Sequence, residues 1–424
     1  MTTLRLQPVQ LTGSIQIPSS KSMGHRELIC AALAQGESKV SNISPSKDIT
    51  ATVEGLSALG AKFTLSKDGR RSSYLVSGGY PRVKKTELDC GESGSTLRFL
   101  LPLGALTNEE IVFTGGGALP TRPLEPYFKI FKQQGIFYQP LGADNLPLKL
   151  KGALQSGAYT LPGDVSSQFI SGLLFALPLL PGNSTLDIEG KLESQSYVEM
   201  TLAALKKYGI LIKHTSYKHY TILGKQHYKA TTSQVEGDFS QAAFWLVAGT
   251  IGSPVKACGM NMASLQGDKA IIKLVRKMGG SVVEDKGSLR VTPALTEGTT
   301  IDATNCPDLV PVLTVLASLS KGHTEIINAG RLRLKECDRL TAMAQSLNKI
   351  GGRILEKPEG LSIEGVESFT GGTLDCWNDH RIAMSLAIAS IRCKAPLILT
   401  GTECVAKSYP DFWEDFQQAG GCYE

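Results

Sequence analysis

One pattern occurs six times along this 424-residue sequence: the end of an amphipathic helix, then a glycine, then a short strand. A glycine at this position supplies the left-handed backbone conformation that commonly ends a helix. The glycines recur at intervals of about 70 residues, and self-similarity at a fixed period is a property of the whole fold. They are Gly60, Gly135, Gly209, Gly279, Gly351 and Gly420.

The repeat predicts an α/β protein with two similar domains, each containing three strand–helix–strand units. Helix–glycine–strand is common in any α/β protein, which is the simpler alternative, but the even spacing of six copies favours a true repeat. A chain of 424 residues is also too long for one ordinary hydrophobic core. The polar, aperiodic stretch 224–233 is the candidate joint between the halves.

Charge and cysteine content narrow the class of protein. The formal net charge of +5 is mild for this length and suits small anionic ligands better than a nucleic-acid backbone. The nine cysteines form no C-x-x-C pair and no zinc-binding spacing with histidine, so we expect reduced, mostly buried thiols. We find no signal peptide and no apolar run long enough to cross a bilayer, and we expect a cytoplasmic protein.

Helices of similar repeats point the same way, so their N-termini should gather at one face of each domain. Several helix starts carry cations, although a helix N-terminus already bears partial positive charge. An anion such as phosphate or carboxylate would complete such a site, whereas a capped surface helix with solvated side chains is the alternative at any one of them. The cations at these starts are Lys21, Arg26, Arg98, His380 and Arg381.

Further polar residues stand at or near other helix starts. Ser166, Ser167 and Gln168 offer three uncharged polar groups where an ordinary cap needs one. If the segment 331–339 is helical, its cations at 331, 335 and 339 share one face, and a solvated basic face neutralised by Glu336 and Asp338 is the alternative.

Three more candidates are isolated residues. Arg122 and Lys407 stand beside turn formers, and Asp308 precedes an apolar helix, where a plain cap is the alternative. The sequence has no Walker lysine loop, no G-x-G-x-x-G opening a βαβ unit, no H-E-x-x-H and no G-x-S-x-G. Many cations, a few acids and no cofactor motif favour acid–base chemistry on a small, multiply anionic substrate.

Taken together and in this order, these segments resemble the 5-enolpyruvylshikimate-3-phosphate synthase family of enolpyruvyl transferases over essentially the whole chain. The resemblance implies two domains, each an inside-out α/β barrel of three βαβαββ repeats, joined by a double crossover. It puts the N-terminal domain at 20–236 and the C-terminal domain at 1–19 plus 237–424. It implies no metal and no cofactor, and we expect a monomer that binds neither nucleic acid nor membrane.

The resemblance also implies two substrates, shikimate 3-phosphate and phosphoenolpyruvate. The residues that look like shikimate 3-phosphate contacts are Lys21, Ser22, Arg26, Ser166, Ser167, Gln168, Ser194, Tyr197, Asp308, Arg331 and Lys335. The residues that look like phosphoenolpyruvate contacts are Lys21, Gly94, Arg98, Arg122, Gln168, Arg339, His380, Arg381 and Lys407.

The implied reaction is an addition–elimination on the route to chorismate and the aromatic amino acids. The 5-hydroxyl of shikimate 3-phosphate loses its proton and attacks C2 of phosphoenolpyruvate while a proton adds at C3, and the intermediate then expels phosphate. We expect Asp308 to accept the proton and Glu336 to act as the acid at C3, with Lys21 assisting. Because nearby cations lower the pKa of a carboxyl group, Glu336 needs partial shielding to donate a proton.

The sequence departs from the family pattern at three places. Glu92-Ser93-Gly94-Ser95 replaces the usual Asn-Ala-Gly-Thr, which puts a carboxylate beside the expected phosphoenolpyruvate site. Residues 115–118 replace a frequent Gly-Asp before the Arg-Pro loop, and Arg331 stands where many relatives have Asn.

Two alternatives remain for the function. The related UDP-N-acetylglucosamine enolpyruvyl transferases typically have a reactive Cys in the loop before the matching Arg, and Lys-Asn near the start. Here the loop 115–123 contains no Cys, and Lys21 is followed by Ser22. A non-catalytic anion-binding or nucleic-acid-binding module is the other alternative, and the acids Asp308 and Glu336 would serve it poorly because they repel phosphate.

Overall fold

The computed structural model describes residues 2–424, apart from the side chain of Asp68. The chain forms two compact units. The inserted unit comprises Ser19–Val235, and the flanking unit comprises Glu236–Glu424 together with the N-terminal residues up to Pro18. The chain therefore passes from one unit to the other twice. Both units combine helices with sheets, so the predicted α/β class is confirmed.

The strands are short, and most alternate buried and exposed side chains, as in sheets with one solvated face. Two strands precede the inserted unit: β1 (Thr3–Leu6) and β2 (Gly13–Gln16). The strands of the inserted unit are β3 (Gly36–Ile43), β4 (Lys62–Asp68), β5 (Arg71–Gly78), β6 (Glu87–Asp89), β7 (Ile111–Thr114), β8 (Phe137–Pro140), β9 (Leu148–Lys151), β10 (Ala158–Pro162), β11 (Ser184–Glu189), β12 (Ile212–Thr215), β13 (His219–Ile222) and β14 (Thr232–Gln234). Those that follow it are β15 (Val255–Cys258), β16 (Ser281–Asp285), β17 (Ser288–Thr292), β18 (Thr300–Asp302), β19 (His323–Ile327), β20 (Arg353–Lys357), β21 (Gly360–Glu364), β22 (Gly372–Asp375) and β23 (Leu397–Thr400).

The α-helices alternate with these strands. In the inserted unit they are α1 (Lys21–Leu33), α2 (Lys47–Ala58), α3 (Gly94–Gly104), α4 (Glu125–Gln133), α5 (Ser167–Ala176) and α6 (Gln195–Lys207). In the flanking unit they are α7 (Phe239–Ile251), α8 (Ala270–Lys277), α9 (Val310–Ser318), α10 (Arg339–Lys349), α11 (His380–Ala389) and α12 (Phe412–Gln418). Short 3-10 turns lie among them, including Leu119–Thr121, Gly267–Lys269, Pro307–Leu309, Gly330–Leu334 and Thr402–Lys407.

The sheets of the inserted unit share one strand pattern. Their orders are β6-β7-β9-β8, β10-β11-β13-β12 and β14-β3-β5-β4. In each, the first two strands are parallel and the remaining pairings are antiparallel. A parallel pair needs a crossover, which α3 supplies between β6 and β7 and α5 between β10 and β11.

The flanking unit repeats this pattern with strands from both ends of the chain. Its sheets have the orders β16-β17-β15-β2, β18-β19-β21-β20 and β1-β23-β22. Strand β2 pairs in parallel with β15, in the register Gly13 to Val255, and β1 pairs antiparallel with β23. The strand before α1 thus completes a sheet of the flanking unit, while the strand before α7, β14, completes a sheet of the inserted unit.

Each unit has its own hydrophobic core, built largely from helices. Every residue of α7, α9 and α11 is buried, and these three helices contact one another. A helix that is apolar on all sides must lie inside a protein, so the sheets take the solvated positions around them.

All six glycines of the sequence repeat adopt the left-handed conformation, as predicted. Their φ angles are 102° (Gly60), 67° (Gly135), 82° (Gly209), 96° (Gly279), 93° (Gly351) and 93° (Gly420). Each lies two residues beyond the end of a helix, where a side chain would strain the backbone.

This geometry predicts the outcome of substitution at Gly135, where a new Cβ would contact no other atom within 4 Å. Gly135→Ala should destabilise the inserted unit by about 1 kcal/mol through backbone strain alone, and Gly135→Asn by less, because Asn tolerates φ > 0. Urea unfolding of the full chain tests this, with Gly142→Ala as the control because Gly142 is not among the positive-φ residues. Equal effects of Ala and Asn at position 135 would contradict the assignment.

Candidate active site

In the inserted unit, the starts of α1 and α2 meet through an ion pair. Ser20 caps α1 by accepting from the backbone N–H of Met23, as the sequence indicates. Lys21, the first helical residue, donates to Oδ2 of Asp48 at 2.7 Å, and the two side chains are only 15% and 11% exposed. Asp48 lies in the first turn of α2, where an acid is favoured, so the cation is held at the helix start by a carboxylate that sequence analysis did not identify.

The starts of α3 and α5 meet through Gln168. Its side chain accepts from Nη1 of Arg98 at 2.7 Å and donates to Oγ of Ser95 at 2.9 Å. Arg98 also donates to the carbonyl of Pro123 at 3.1 Å, and its guanidinium lies 4.9 Å from the ring centre of Phe169. These three partners are uncharged, and they fix the position of the Arg98 guanidinium.

Arg122 lies against the first residue of α3. A Cβ on Gly94 would be 2.7 Å from Nη1 and 2.9 Å from Cζ of Arg122, so only glycine allows this approach. The Arg122 side chain is 8% exposed, and its Nε has no hydrogen-bond partner in the part of the chain that the structure describes. A buried guanidinium beside a helix N-terminus is a strong candidate for binding an anion.

Arg26 is committed to contacts inside its own unit. It donates to the carbonyls of Ser22 (2.7 Å) and Tyr197 (2.9 Å) and to Oγ1 of Thr201 (2.8 Å), and it stacks near Phe99 and Tyr197. Burial lowers its pKa to about 10. Arg26 therefore connects α1 to α6 through hydrogen bonds.

The expected serines lie at helix starts. Ser166 caps α5 by accepting from the backbone N–H of Gln168, and Ser167 is the first helical residue. Ser194 precedes α6 with φ of 54°, an uncommon backbone conformation for a serine that is often found at functional sites.

In the flanking unit, Asp308 is held between two arginines. Its Oδ1 accepts from Arg339 at 2.9 Å and its Oδ2 from Arg381 at 2.8 Å, and Nζ of Lys335 lies 3.8 Å from Oδ1. Burial opposes ionisation, but the charges of Arg381, Lys335 and Arg339 hold the pKa of Asp308 well below its ordinary value. Burial lowers the pKa of Lys335 to about 8, although Asp308 opposes that shift.

Arg339 also gathers two further carboxylates. It is 1% exposed and donates to Glu336 at 2.8 Å and to Asp379 at 2.8 Å, in addition to Asp308. Asp379 is fully buried and caps α11 by accepting from the backbone N–H of Arg381. The starts of α10 and α11 and the turn before α9 are therefore tied together at one guanidinium.

The segment 331–339 is not the continuous helix considered from the sequence. A 3-10 turn ends at Leu334, Lys335 has extended backbone, and α10 begins at Arg339 after its cap, Asp338. Arg331 points away from a common stripe, since it donates to the carbonyls of Thr304 and Ala303.

The segment before α11 carries unusual backbone conformations. Trp377 and Asn378 have φ of 56° and 49°, and Nζ of Lys407 donates to the carbonyl of Asn378 at 2.6 Å. His380 and Arg381 follow as the first helical residues, and both are buried. Consecutive left-handed residues other than glycine are strained, and such strain concentrates at functional sites.

Asp268 is a further buried acid near this cluster, and no motif marks it in the sequence. It is 2% exposed, and Ser240, in the first turn of α7, donates to its Oδ2. Burial, reinforced by the charge of Asp308, raises the pKa of Asp268 to about 7, and Arg381 opposes the shift.

The raised pKa of Asp268 predicts a pH-dependent stability. The unfolded chain ionises this group near pH 3.9, so its ionisation makes folding progressively less favourable between about pH 4 and about pH 7. Asp268→Asn should therefore gain stability over the parent protein across that range, by at most about 4 kcal/mol, and no further above it. Thermal unfolding from pH 4 to 8 tests this, with the exposed Asp144→Asn as control. A difference that does not change with pH would rule it out.

Within residues 2–424, no three His, Cys, Asp or Glu side chains are arranged to hold a metal ion. Among the helices that the structure describes, none has the length and apolar character needed to traverse a bilayer.

Comparison with known proteins defines the class. The chain matches the family model of EPSP synthase (3-phosphoshikimate 1-carboxyvinyltransferase) over residues 6–416. It is 49% identical to the 3-phosphoshikimate 1-carboxyvinyltransferase of Clostridium acetobutylicum over 99% of this chain and 98% of that protein. The corresponding enzyme of Clostridium kluyveri is also 49% identical, with the same coverage.

Solved structures agree with this result. An EPSP synthase from Acinetobacter baumannii superposes with a TM-score of 0.83 at 25% identity, covering 100% of this chain and 99% of that one. The enolpyruvyl transferase NikO from Streptomyces tendae has a TM-score of 0.80 at 17% identity, covering 100% and 98%, which is a likeness of fold.

The fold is that of an enolpyruvyl transferase. More narrowly, the chain belongs to the EPSP synthase (3-phosphoshikimate 1-carboxyvinyltransferase) family. The family expected from the sequence and the expected enzyme class, a transferase of the shikimate pathway, are thereby confirmed.

Proposed function

We propose that the protein transfers the enolpyruvyl group of phosphoenolpyruvate to the 5-hydroxyl of shikimate 3-phosphate, releasing phosphate and 5-enolpyruvylshikimate 3-phosphate. The observation that carries this proposal is identity of 47–49% over nearly the whole chain to relatives named 3-phosphoshikimate 1-carboxyvinyltransferase. Clusters of buried cations at helix starts supply the charge that two anionic substrates require. The competing acceptor, UDP-N-acetylglucosamine, has no support among these relatives.

We propose the domain division 20–236 and 1–19 plus 237–424, with each domain an inside-out α/β barrel of three βαβαββ repeats. The compactness of Ser19–Val235 supports the division. The common strand order of the sheets and the mutually packed, fully buried helices α7, α9 and α11 support the barrel.

The substrate contacts are assigned by charge and position. Arg98 and Arg122 suit phosphoenolpyruvate because both are buried guanidinium groups at or beside the start of α3. The remaining phosphoenolpyruvate assignments are Lys21, Gly94, Gln168, Arg339, His380, Arg381 and Lys407. The shikimate 3-phosphate assignments are Lys21, Ser22, Arg26, Ser166, Ser167, Gln168, Ser194, Tyr197, Asp308, Arg331 and Lys335, with Arg26 acting by holding Tyr197 in place.

Asp308 is the proposed acceptor of the 5-hydroxyl proton. A carboxylate whose pKa is strongly depressed is a poor base, so its pairing with Arg339 and Arg381 must weaken before it acts. An incoming anion that takes hydrogen bonds from these arginines does this, because each lost cation contact raises the pKa of Asp308. Substrate binding and base activation are then one event.

Glu336 is the proposed acid at C3, and Lys21 assists. In the addition step, the substrate oxygen bonds to C2 and a proton joins C3, which turns the methylene into a methyl group. In the elimination step, C3 returns a proton to the Glu336 carboxylate, and phosphate leaves C2 with the electron pair of its C–O bond, which restores the double bond. Asp308 and Glu336 both accept hydrogen bonds from Arg339. Asp308 gains the proton of the 5-hydroxyl while Glu336 gives a proton to C3, so the total charge of the two carboxyl groups around this guanidinium does not change.

The expected cytoplasmic location, the monomeric state and the absence of nucleic-acid binding stay predictions.

A phosphate-release assay on the purified full-length chain tests the reaction. Phosphate should appear only when shikimate 3-phosphate and phosphoenolpyruvate are both present, in equal amount to the enolpyruvyl product measured by mass spectrometry. Omitting either substrate, or replacing the acceptor by UDP-N-acetylglucosamine, should abolish release. Release with the nucleotide sugar and none with shikimate 3-phosphate would overturn the proposal.

Substitution of the proposed base tests the mechanism. Asp308→Asn keeps the size of the side chain but removes the accepting charge, so kcat should fall by about 100-fold or more, while both substrates still bind. Asp285→Asn, at a half-buried acid of the same unit that pairs with Lys256, serves as the matched control for loss of one negative charge. A kcat for Asp308→Asn within threefold of the parent would remove Asp308 from the proton transfer.

A further inference from the structure

Two segments of the inserted unit run side by side from the ends of a parallel strand pair. Strands β6 and β7 pair as far as Asp89 and Thr114. Beyond them, Cys90 N–H donates to the carbonyl of Thr114 at 2.9 Å, and Gly116 N–H donates to the carbonyl of Gly91 at 2.8 Å. The first segment leads to the start of α3, and the second leads through the turn Leu119–Thr121 to Arg122.

The next contact along this pair of segments joins Glu92 to Gly117. A Cβ on Gly117 would lie 2.1 Å from Oε2, 2.6 Å from Cδ and 3.0 Å from Cγ of Glu92. The Glu92 side chain thus occupies the space that a Cβ on Gly117 would need. The φ of 58° at Gly117 also disfavours any side chain there. Two of the three places where the sequence departs from the family pattern therefore contact each other.

The last contact in the series is the one between Gly94 and the guanidinium of Arg122, at the end of the same two segments. The backbone contacts at Cys90 and Gly91 set one end of the second segment. The Glu92–Gly117 contact lies two residues before the turn Leu119–Thr121. Asn145 also holds this turn, because its backbone N–H donates to the carbonyl of Pro120 and its side chain donates to the carbonyl of Arg122, both at 2.9 Å. A shift of this turn would move the guanidinium relative to the start of α3.

We infer that Glu92 is a positioning residue for Arg122: packed on Gly117, its side chain holds the turn that presents this guanidinium beside Gly94. The inference deepens the proposed function and rests on it for the assignment of Arg122 to phosphoenolpyruvate. The inferred role comes from the shape of the side chain against Gly117. A carboxylate near an anion site weakens anion binding, so the fit of the side chain on Gly117 is what favours Glu at this position.

The shape and charge contributions separate by substitution. Glu92→Ala removes the packed side chain and should raise KM for phosphoenolpyruvate about tenfold, about 1.4 kcal/mol of binding, with kcat within about threefold and KM for shikimate 3-phosphate within about twofold. Glu92→Gln keeps the shape without the charge and should bind phosphoenolpyruvate at least as well as the parent. Glu109→Ala, an exposed acid of the same unit, is the matched control.

The partner glycine supplies the second half of the test. Gly117→Ala should raise KM for phosphoenolpyruvate because its methyl group displaces Glu92. In the double variant Glu92→Ala/Gly117→Ala the methyl group enters vacated space, so KM should not exceed that of the worse single variant. If Gly117→Ala does not fold, Gly117→Asn replaces it, since Asn tolerates this backbone conformation. The same coupling should appear in the thermal unfolding temperatures of the four proteins.

Two results would overturn the inference: a Glu92→Gln variant as impaired as Glu92→Ala, or effects at the two positions that simply multiply. Either leaves the proposed function intact, provided that the parent protein releases phosphate from both substrates. Absence of that release would instead overturn the proposed function. The coupling in thermal unfolding would still report whether Glu92 and Gly117 act as a pair.

Discussion

A single guanidinium group, that of Arg339, links three carboxylates in the flanking unit. Arg339 is almost wholly buried, and its donors are divided among Asp308, Glu336 and Asp379. Three carboxylates this close repel one another in a low-dielectric interior, and the guanidinium of Arg339, together with that of Arg381 on Asp308, offsets this repulsion. Because each carboxylate belongs to a different helix start or turn, the charge requirement also sets the relative placement of those elements.

The arginines at or beside the start of α3 in the inserted unit are held by different kinds of contact. Arg98 is held by an amide side chain, a backbone carbonyl and the face of a phenylalanine ring, none of which carries charge. The guanidinium of Arg122 lies in the space that a side chain at Gly94 would occupy. In the flanking unit, by contrast, Arg339 and Arg381 are paired with the carboxylate of Asp308. The proton affinity of Asp308 therefore depends on which cations contact it.

The features that the sequence predicted are local ones. Glycines after helices and cations at helix starts both depend on a few neighbouring residues, and the structure confirms them at Gly60 and Lys21. The partners of those cations were not predictable, because Asp308 and Asp379 lie 31 and 40 residues from Arg339. The raised pKa of Asp268 arises from tertiary burial and has no sequence signal.

In the segment 331–339, the sequence pattern suggests a helix that the structure does not contain. Its charges recur with helical spacing, yet Lys335 has extended backbone, and α10 begins only at Arg339, after its cap Asp338. Spacing indicates which residues would share a face if a helix forms, and it carries no information about whether the helix forms. The packing of Gly330 close to Glu359 and the pull of Asp308 on Lys335 belong to the folded state alone.

The exchange of edge strands has a consequence for how the chain comes to be folded. The inserted unit is one contiguous stretch and holds every strand of its own sheets, so it can reach its native pairing as soon as β14 has been synthesised. The flanking unit needs Thr3 beside Thr400, so β1 must wait unpaired during nearly all of translation, whereas β2 waits until β15 has been made. The first residues made are among the last to be enclosed, and a fragment that begins after Val235 would expose the edges of β15 and β23 to pairing with other chains.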